Sequence, residues 1–326
     1  MFYLEKTAGK DFIILNVTDM QLSSHDWEYN RFACKTVTHT ISELVARVKP
    51  DLITISGDLS YPGQAFSYQK FAEYLDTFGI PWSLVWGNHD QEVDPSCLDE
   101  TEKIMRTSKH LLYERGDENL GFGNFVIAIT EKDKIAEAIL MVDTHDEEFV
   151  TEGGERVRLG WARWRDAQKA WYRQTVAQLK AAGCGESVVI SHIPIYAYKQ
   201  AYEAAYFSGQ WGNIRNVSVA ESYAGNCWRD GYKDSFGVKY EGVGCPATDD
   251  GVLELLKELG HTKNYIAGHD HINNYSIVYE GVRLTYATKT GAGCYWDRGL
   301  NGGTVITVGD GGVKSVRHEY VSCEGL

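Results

Sequence analysis

The chain is short of proline, of positive charge, of paired cysteines and of long apolar runs, and each shortage removes a class of protein. Proline occurs 6 times in 326 residues, which excludes Pro-rich linkers, while 33 glycines supply many turns. The 7 cysteines are odd in number and scattered at 34, 97, 184, 227, 245, 294 and 323. They form no C-x-x-C pair, so no zinc finger is written. They read as mostly reduced buried thiols, with Cys227–Cys245 the one disulfide entertained. No stretch approaches the length of a membrane span. The opening "MFYLEKTAGKD" lacks the basic-then-apolar order of a secretory leader. A cytoplasmic protein is therefore expected, with secretion after removal of a leader as the alternative. Lys+Arg number 32 against 45 Asp+Glu, a net charge of −13. That balance makes nucleic acid an unlikely partner and suits the ligation of hard cations by carboxylates. Asn-x-Ser/Thr occurs at Asn16, Asn216 and Asn274; Asn16 falls in a core strand, and all three read as chance matches.

What the chain does contain is regular alternation. Apolar runs at 11–18, 51–56 and 81–86 read as buried strands, and 33–48 and 66–78 carry helical spacing. Strands alternating with amphipathic helices indicate βαβ units and a largely parallel sheet. After a helix near 98–109, "FVIAIT" and "AILMVDT" read as adjacent strands. A helix near 165–181, the strand 187–191, a helix at 250–259 stopped by Gly260 and the strand 264–268 follow. "EG" at 280–281 and "DGG" at 310–312 are hairpin signals. The expected fold class is α/β: two sheets flanked by helices, as one domain over 1–326, with an aromatic-rich cap insertion at about 196–247.

Five apolar runs end in chemically active side chains. The first ends in Asp19 with Gln21, the second in Asp58 with Tyr61, and the third in Asn88, His89 and Asp90. The strand at 187–191 ends in His192, and that at 264–268 in His269 and His271. In open α/β sheets ligands bind at the carboxyl ends of strands, so these residues are expected in one place. No Ser or Cys nucleophile is among them. Carboxylate, amide oxygen, phenol and imidazole together suit Mn, Fe or Zn. Two ions ~3.5–4 Å apart need a shared ligand, and the central carboxylate Asp58 is the natural bridge. His269 and His271, two apart in extended chain, would face the same way, one for each ion. Singly, each residue has a bland explanation, such as a helix cap for an Asp after a strand; the combination does not.

The motifs "TDMQ", "SGDLS", "WGNHDQ", "VISHIP" and "AGHDH" resemble the D-x-H, GD, GNH[DE], H and GHxH series of the calcineurin-like metallophosphoesterases. With "GHDHINNY" and "YATKTGAGCY", the chain is most similar to the small single-domain branch related to purple acid phosphatases. The resemblance implies a four-layer fold and two metal ions. Asp19, Asp58 and His271 would hold one ion, and Asp58, Asn88, His192 and His269 the other. It implies that His89 meets the phosphoryl oxygens or leaving group of a small phosphorylated substrate, and that Asp90 orients His89 or merely caps a helix. The implied activity is hydrolysis of a phosphomonoester or phosphodiester by a metal-bound water. A nuclease is one alternative, and a non-catalytic metal-bearing scaffold another. Two departures stand out. Gln21 replaces the D-x-H histidine, and Tyr61 sits where purple acid phosphatases place an iron-binding tyrosinate, so that it either ligates the first metal or packs beside it. A second D-x-H, Asp143 and His145, reads as a rim pair or a turn. Tyr196, Tyr198, Tyr202, Phe207, Trp211 and Trp228 in the cap either stack a planar substrate group or pack a small core of their own.

Overall fold

The computed structural model describes residues 1–92, 95–206, 218–225 and 227–326. Its strands are β1 (Phe2–Glu5), β2 (Phe12–Val17), β3 (Leu52–Ser56), β4 (Trp82–Val85), β5 (Phe125–Glu131), β6 (Lys134–Met141), β7 (Glu147–Glu152), β8 (Glu155–Trp161), β9 (Ser187–Ser191), β10 (Thr262–Ala267), β11 (Ser276–Tyr279), β12 (Val282–Tyr286), β13 (Gly302–Gly309) and β14 (Gly312–Tyr320). One sheet has five strands in the order β14-β13-β2-β3-β4, a second has seven in the order β1-β5-β6-β9-β10-β12-β11, and β7 and β8 pair as a separate ribbon. The strands that carry the motifs run parallel: β2 with β3 and β3 with β4 in one sheet, β9 with β10 in the other. The added antiparallel edges, such as β13 on β2 and β11 on β12, make both sheets mixed.

Side-chain alternation explains the layering. In β6, Ile139 and Met141 enter the core between the sheets, and Ala138 and Leu140 enter a second core on the outer face. Strand β9 divides Val188 and Ile190 from Val189 in the same way. Strands buried on both faces read as continuous apolar runs. Helix Asp166–Ala181 covers the outer face of the larger sheet with Tyr172, Val176 and Leu179, and helix Phe32–Val48 offers Val37, Ile41 and Leu44 to the core of the smaller one.

Two pieces escaped the sequence reading. Strand β1, only the four residues Phe2–Glu5 before a polar stretch, pairs with β5 and was too short to read as a strand. The β7–β8 ribbon alternates charged residues with few apolar ones, because neither face is fully covered. The aromatics of the proposed cap also behave differently from expectation. Tyr198, Tyr202 and Trp228 are buried in the outer core together with Tyr265, Tyr275 and Tyr286, rather than in a core of their own. Phe207, Trp211 and Asn216 lie outside the described residues. Cys227 and Cys245 are both free thiols.

One buried acid yields a stability prediction. Glu137 in β6 is fully buried, with Oε2 lacking a hydrogen-bond partner among the described residues. Burial, aided by the nearby Glu186 charge, raises its carboxyl from 4.5 to about 8. The folded state therefore keeps a proton that the unfolded chain has lost, and stability falls as pH rises through this window. Glu137→Gln is expected to be near neutral at about pH 5 and stabilising by a few kcal/mol at about pH 9. Urea melts of both proteins across that range should diverge with rising pH; parallel profiles would contradict it.

Candidate metal centre

The carboxyl ends of β2, β3 and β4 meet those of β9 and β10 at one edge of the two sheets. Asp19 and Asp58 lie just beyond β2 and β3, Asn88 and His89 beyond β4, His192 directly after β9, and His269 beyond β10. The turns there are unusual. Asp19, Gln21, Asp58 and His269 have φ of 56°, 48°, 54° and 80°, a region that costs a residue with a side chain roughly 1–3 kcal/mol and persists only where surroundings enforce it. The enforcement is visible: Asp19 N donates to Gly57 O at 3.1 Å and Gln21 N to Asp58 O at 3.0 Å. The glycine of "GNHD" is required by contact. A Cβ on Gly87 would lie 2.0 Å from Asp58 Oδ1.

The side chains present lone pairs to one another. The His192 ring donates from Nδ1 to Ser56 O at 2.7 Å. Its Nε2 then lies 3.0 Å from Asn88 Oδ1, 3.3 Å from Asp58 Oδ1 and 3.3 Å from His269 Nδ1. The His271 ring donates from Nδ1 to Tyr295 O at 2.9 Å, which turns the lone pair on Nε2 toward Asp19 Oδ1, 3.7 Å away. Asp19 Oδ2 accepts from Thr18 Oγ1 and from His269 N, whereas Oδ1 is buried without a hydrogen-bond partner among the described residues. Single ligand atoms of Asp19, Asp58 and His192 all lie within 4.8 Å of one another. Acceptors held face to face in a buried site call for a cation between them.

The charges agree with that reading. Burial, with help from the Asp58 charge, lifts Asp19 to about 6. Burial also works upward on Asp58, but the His192 charge and hydrogen bond outweigh it and hold the carboxyl well below its ordinary range. Burial opposes charge on His192, yet Asp58 overrides it and raises the imidazole to about 10. Burial and the His192 charge push His269 down to about 3, and burial with Lys289 keeps His271 neutral. A ligating His192 must be neutral, so ion binding competes with protons and tightens as pH rises.

His269 and His271 do not share one direction. The backbone turns at His269, so its ring faces His192 while His271 faces Asp19. Asp90 does not orient His89. Its Oδ2 accepts from Asp58 N and Gly87 N at 2.9 Å each, and Oδ1 from Leu59 N, Ser60 N and the Tyr68 hydroxyl. Its acceptor capacity is spent holding the Asp58 turn. Glu92 orients the ring instead, 2.8 Å from His89 Nδ1. Tyr61 stands apart from the buried ligands. It is 44% exposed, and its ring packs 4.5 Å from that of His89. The ring thus packs beside His89 at the rim of the centre. Gln21 is buried and donates to Asp58 Oδ2 at 3.0 Å. Asp143 and His145 form a turn: the Asp143 carboxylate accepts from Phe122 N and His145 N, and the His145 ring meets Gln168.

Three further residues belong to the centre. Lys289 is buried and donates to the Asp19 carbonyl. Trp161 at the end of β8 packs its ring 4.3 Å from His269, and Tyr295 stacks 4.1 Å from His271. Glu92 stands three positions after His89 in a helical turn, and Lys289 and Tyr295 lie in the "YATKTGAGCY" stretch, whereas Trp161 carried no signal.

Comparison with known proteins places this geometry. The calcineurin-like phosphoesterase profile matches residues 12–273. Among relatives, "Probable inactive purple acid phosphatase 14" of Arabidopsis thaliana is 25% identical over 78% of this chain and 62% of its own length. "Probable inactive purple acid phosphatase 29" of the same plant is 23% identical over 96% of this chain and 83% of its own. This chain thus spans less than two thirds of the first of them. A dimetal phosphatase from Danio rerio shares the fold, with a TM-score of 0.55 at 11% identity over 95% of this chain and 99% of the other. With the family profile extending from β2 through the last histidine motif, this chain belongs to the calcineurin-like phosphoesterase family.

Proposed function

We propose that this chain is a metal-dependent phosphoester hydrolase acting on a small phosphorylated substrate. The observation that carries the reading is the set of opposed acceptors, above all Asp19 Oδ1, buried without a hydrogen-bond partner among the described residues, 3.7 Å from His271 Nε2. Asp58, Asn88, His192 and His269 would hold one ion, and Asp19, Asp58 and His271 a second. Bound there, the ions would supply positive charge for the phosphoryl oxygens and make water more acidic.

The chain's own residues do the rest. His89 Nε2 lies 4.0 Å from Asp58 Oδ2, at the inner wall, while Glu92 holds Nδ1. From there the ring can hydrogen-bond a phosphoryl oxygen and pass a proton to the leaving oxygen. Trp161 and Tyr295 cover the outer faces of His269 and His271, limiting water around the imidazoles. Asp90 fixes the Asp58 turn. The test is turnover of p-nitrophenyl phosphate and bis-p-nitrophenyl phosphate by chelator-stripped protein resupplied with Mn, Fe or Zn. Metal-dependent release of nitrophenol from at least one ester is expected. Gln21 in the place of the D-x-H histidine, together with the "inactive" names of the relatives, favours a second reading, a metal-bearing scaffold. Bound metal with no turnover of either ester would select it.

A further inference from the structure

Lys289, within the "YATKTGAGCY" stretch, is a group at the centre to which the proposed chemistry gives no role. It follows β12, and its backbone is pinned between two elements: Gly302 N donates to Lys289 O at 3.0 Å, and Thr290 N to Thr18 O at 3.0 Å. The side chain is 2% exposed. Its ammonium donates to the Asp19 backbone carbonyl and, at 3.4 Å, to Gln21 Oε1. Both acceptors are neutral amide oxygens. A buried charge without an ion pair among the described residues is costly: burial lowers the amine to about 8, and the nearby Asp19 and Asp58 charges only partly counter it. The ammonium thus draws on the same two carboxylates that an ion between Asp19 and His271 would use.

Gln21 alters the same half from the other side. Its Nε2 donates to Asp58 Oδ2, the oxygen that does not face His192, and its Oε1 faces the ammonium. Where an imidazole would add a lone pair, this carboxamide instead spends an N–H on the bridging carboxylate. The other half holds no lysine or arginine: Asn88 Oδ1, Asp58 Oδ1, His269 Nδ1 and His192 Nε2 converge, and the His192 ring, unlike an ammonium fixed beside the site, can give up its proton to become a ligand, with no Lys or Arg donating to those oxygens among the described residues.

We propose that Lys289 is a fixed cation of the Asp19 half, so that this chain binds one divalent ion tightly through Asp58, Asn88, His192 and His269 and a second, at Asp19 and His271, at least about a hundredfold more weakly. The inference rests on the metal-centre reading above. Its physical basis is repulsion, in a medium far less polarisable than water, between a divalent ion at Asp19 and an ammonium that donates to the carbonyl of that same residue. Asp19 Oδ1 and His271 Nε2 still offer two ligand atoms, which is why the second ion is weakened rather than excluded.

The experiment is a calorimetric titration of the chelator-stripped whole chain with Mn²⁺, with the Mn²⁺ electron paramagnetic resonance spectrum recorded at one and two equivalents. The wild-type chain should take one tight equivalent and show the spectrum of an isolated ion. Lys289→Met keeps the length of the side chain and removes the charge; it should bring the second ion to within about tenfold of the first and produce a spin-coupled pair. Gln21→His, which returns an imidazole and frees Asp58 Oδ2, should shift the second affinity in the same direction and serves alone if Lys289→Met does not fold. Two equally tight equivalents in the wild type would overturn the proposal. So would a second affinity unmoved in whichever of the two variants folds. No tight Mn²⁺ in the wild type would overturn the metal-centre reading itself, a distinguishable outcome.

Discussion

His89→Ala is expected to lower turnover of an aryl phosphoester by about 10²–10⁴-fold while leaving bound metal unchanged. The separation of effects follows from geometry. The imidazole is 26% exposed on its side chain, its Nδ1 is committed to Glu92, and its Nε2 is 4.0 Å from Asp58 Oδ2. Within the chain it holds nothing that an ion needs. What residue 89 gives the cage is its backbone N–H, which donates to Asp58 Oδ1 at 3.0 Å and survives in alanine. Metal analysis beside steady-state kinetics checks the result. Equal loss of metal and turnover would mean that the ring supports the ions rather than the substrate. Glu92→Gln should produce a smaller kinetic loss, because the ring stays but its orientation relaxes.

Asp58→Asn is expected to abolish tight metal binding and, with it, the thermal stabilisation that metal confers. Asp58 is buried and sits between the two halves, with Oδ1 toward His192 and Oδ2 toward His89 and Gln21. A ligand present at 100 times its dissociation constant stabilises the native state by about 2.7 kcal/mol. Wild type and variant should therefore melt several degrees apart in excess Mn²⁺. In chelator the gap should narrow without closing, because the metal-dependent part is lost for both proteins while the variant still lacks the buried Asp58–His192 pair. Melting curves with and without metal decide it; an unchanged difference in chelator would assign the loss to packing instead.

The parts of this site that could be read from the chain are those that depend on local order. A parallel strand buried on both faces is a run of apolar residues, and the first polar residues after it must lie at its carboxyl end, which is where Asp19, Asp58, Asn88, His192 and His269 are found. Direction within the loops was not legible. The left-handed turn at His269 sends two neighbouring imidazoles to different partners, and a sequence written as His-Asp-His does not reveal it. Asp90 illustrates a second limit: it follows His89 directly, yet its carboxylate reaches back more than thirty positions to the Asp58 turn. Lys289 is the extreme case, reaching Asp19 from 270 positions away. Long-range pairing also hid the role of β1, which pairs with β5.

The most direct test is an anomalous-scattering map from crystals grown with Mn²⁺ or Zn²⁺. A peak bounded by Asp58, Asn88, His192 and His269, with any second, weaker peak between Asp19 and His271, is the predicted result. A map with metal bound elsewhere and only solvent among those side chains would contradict the account.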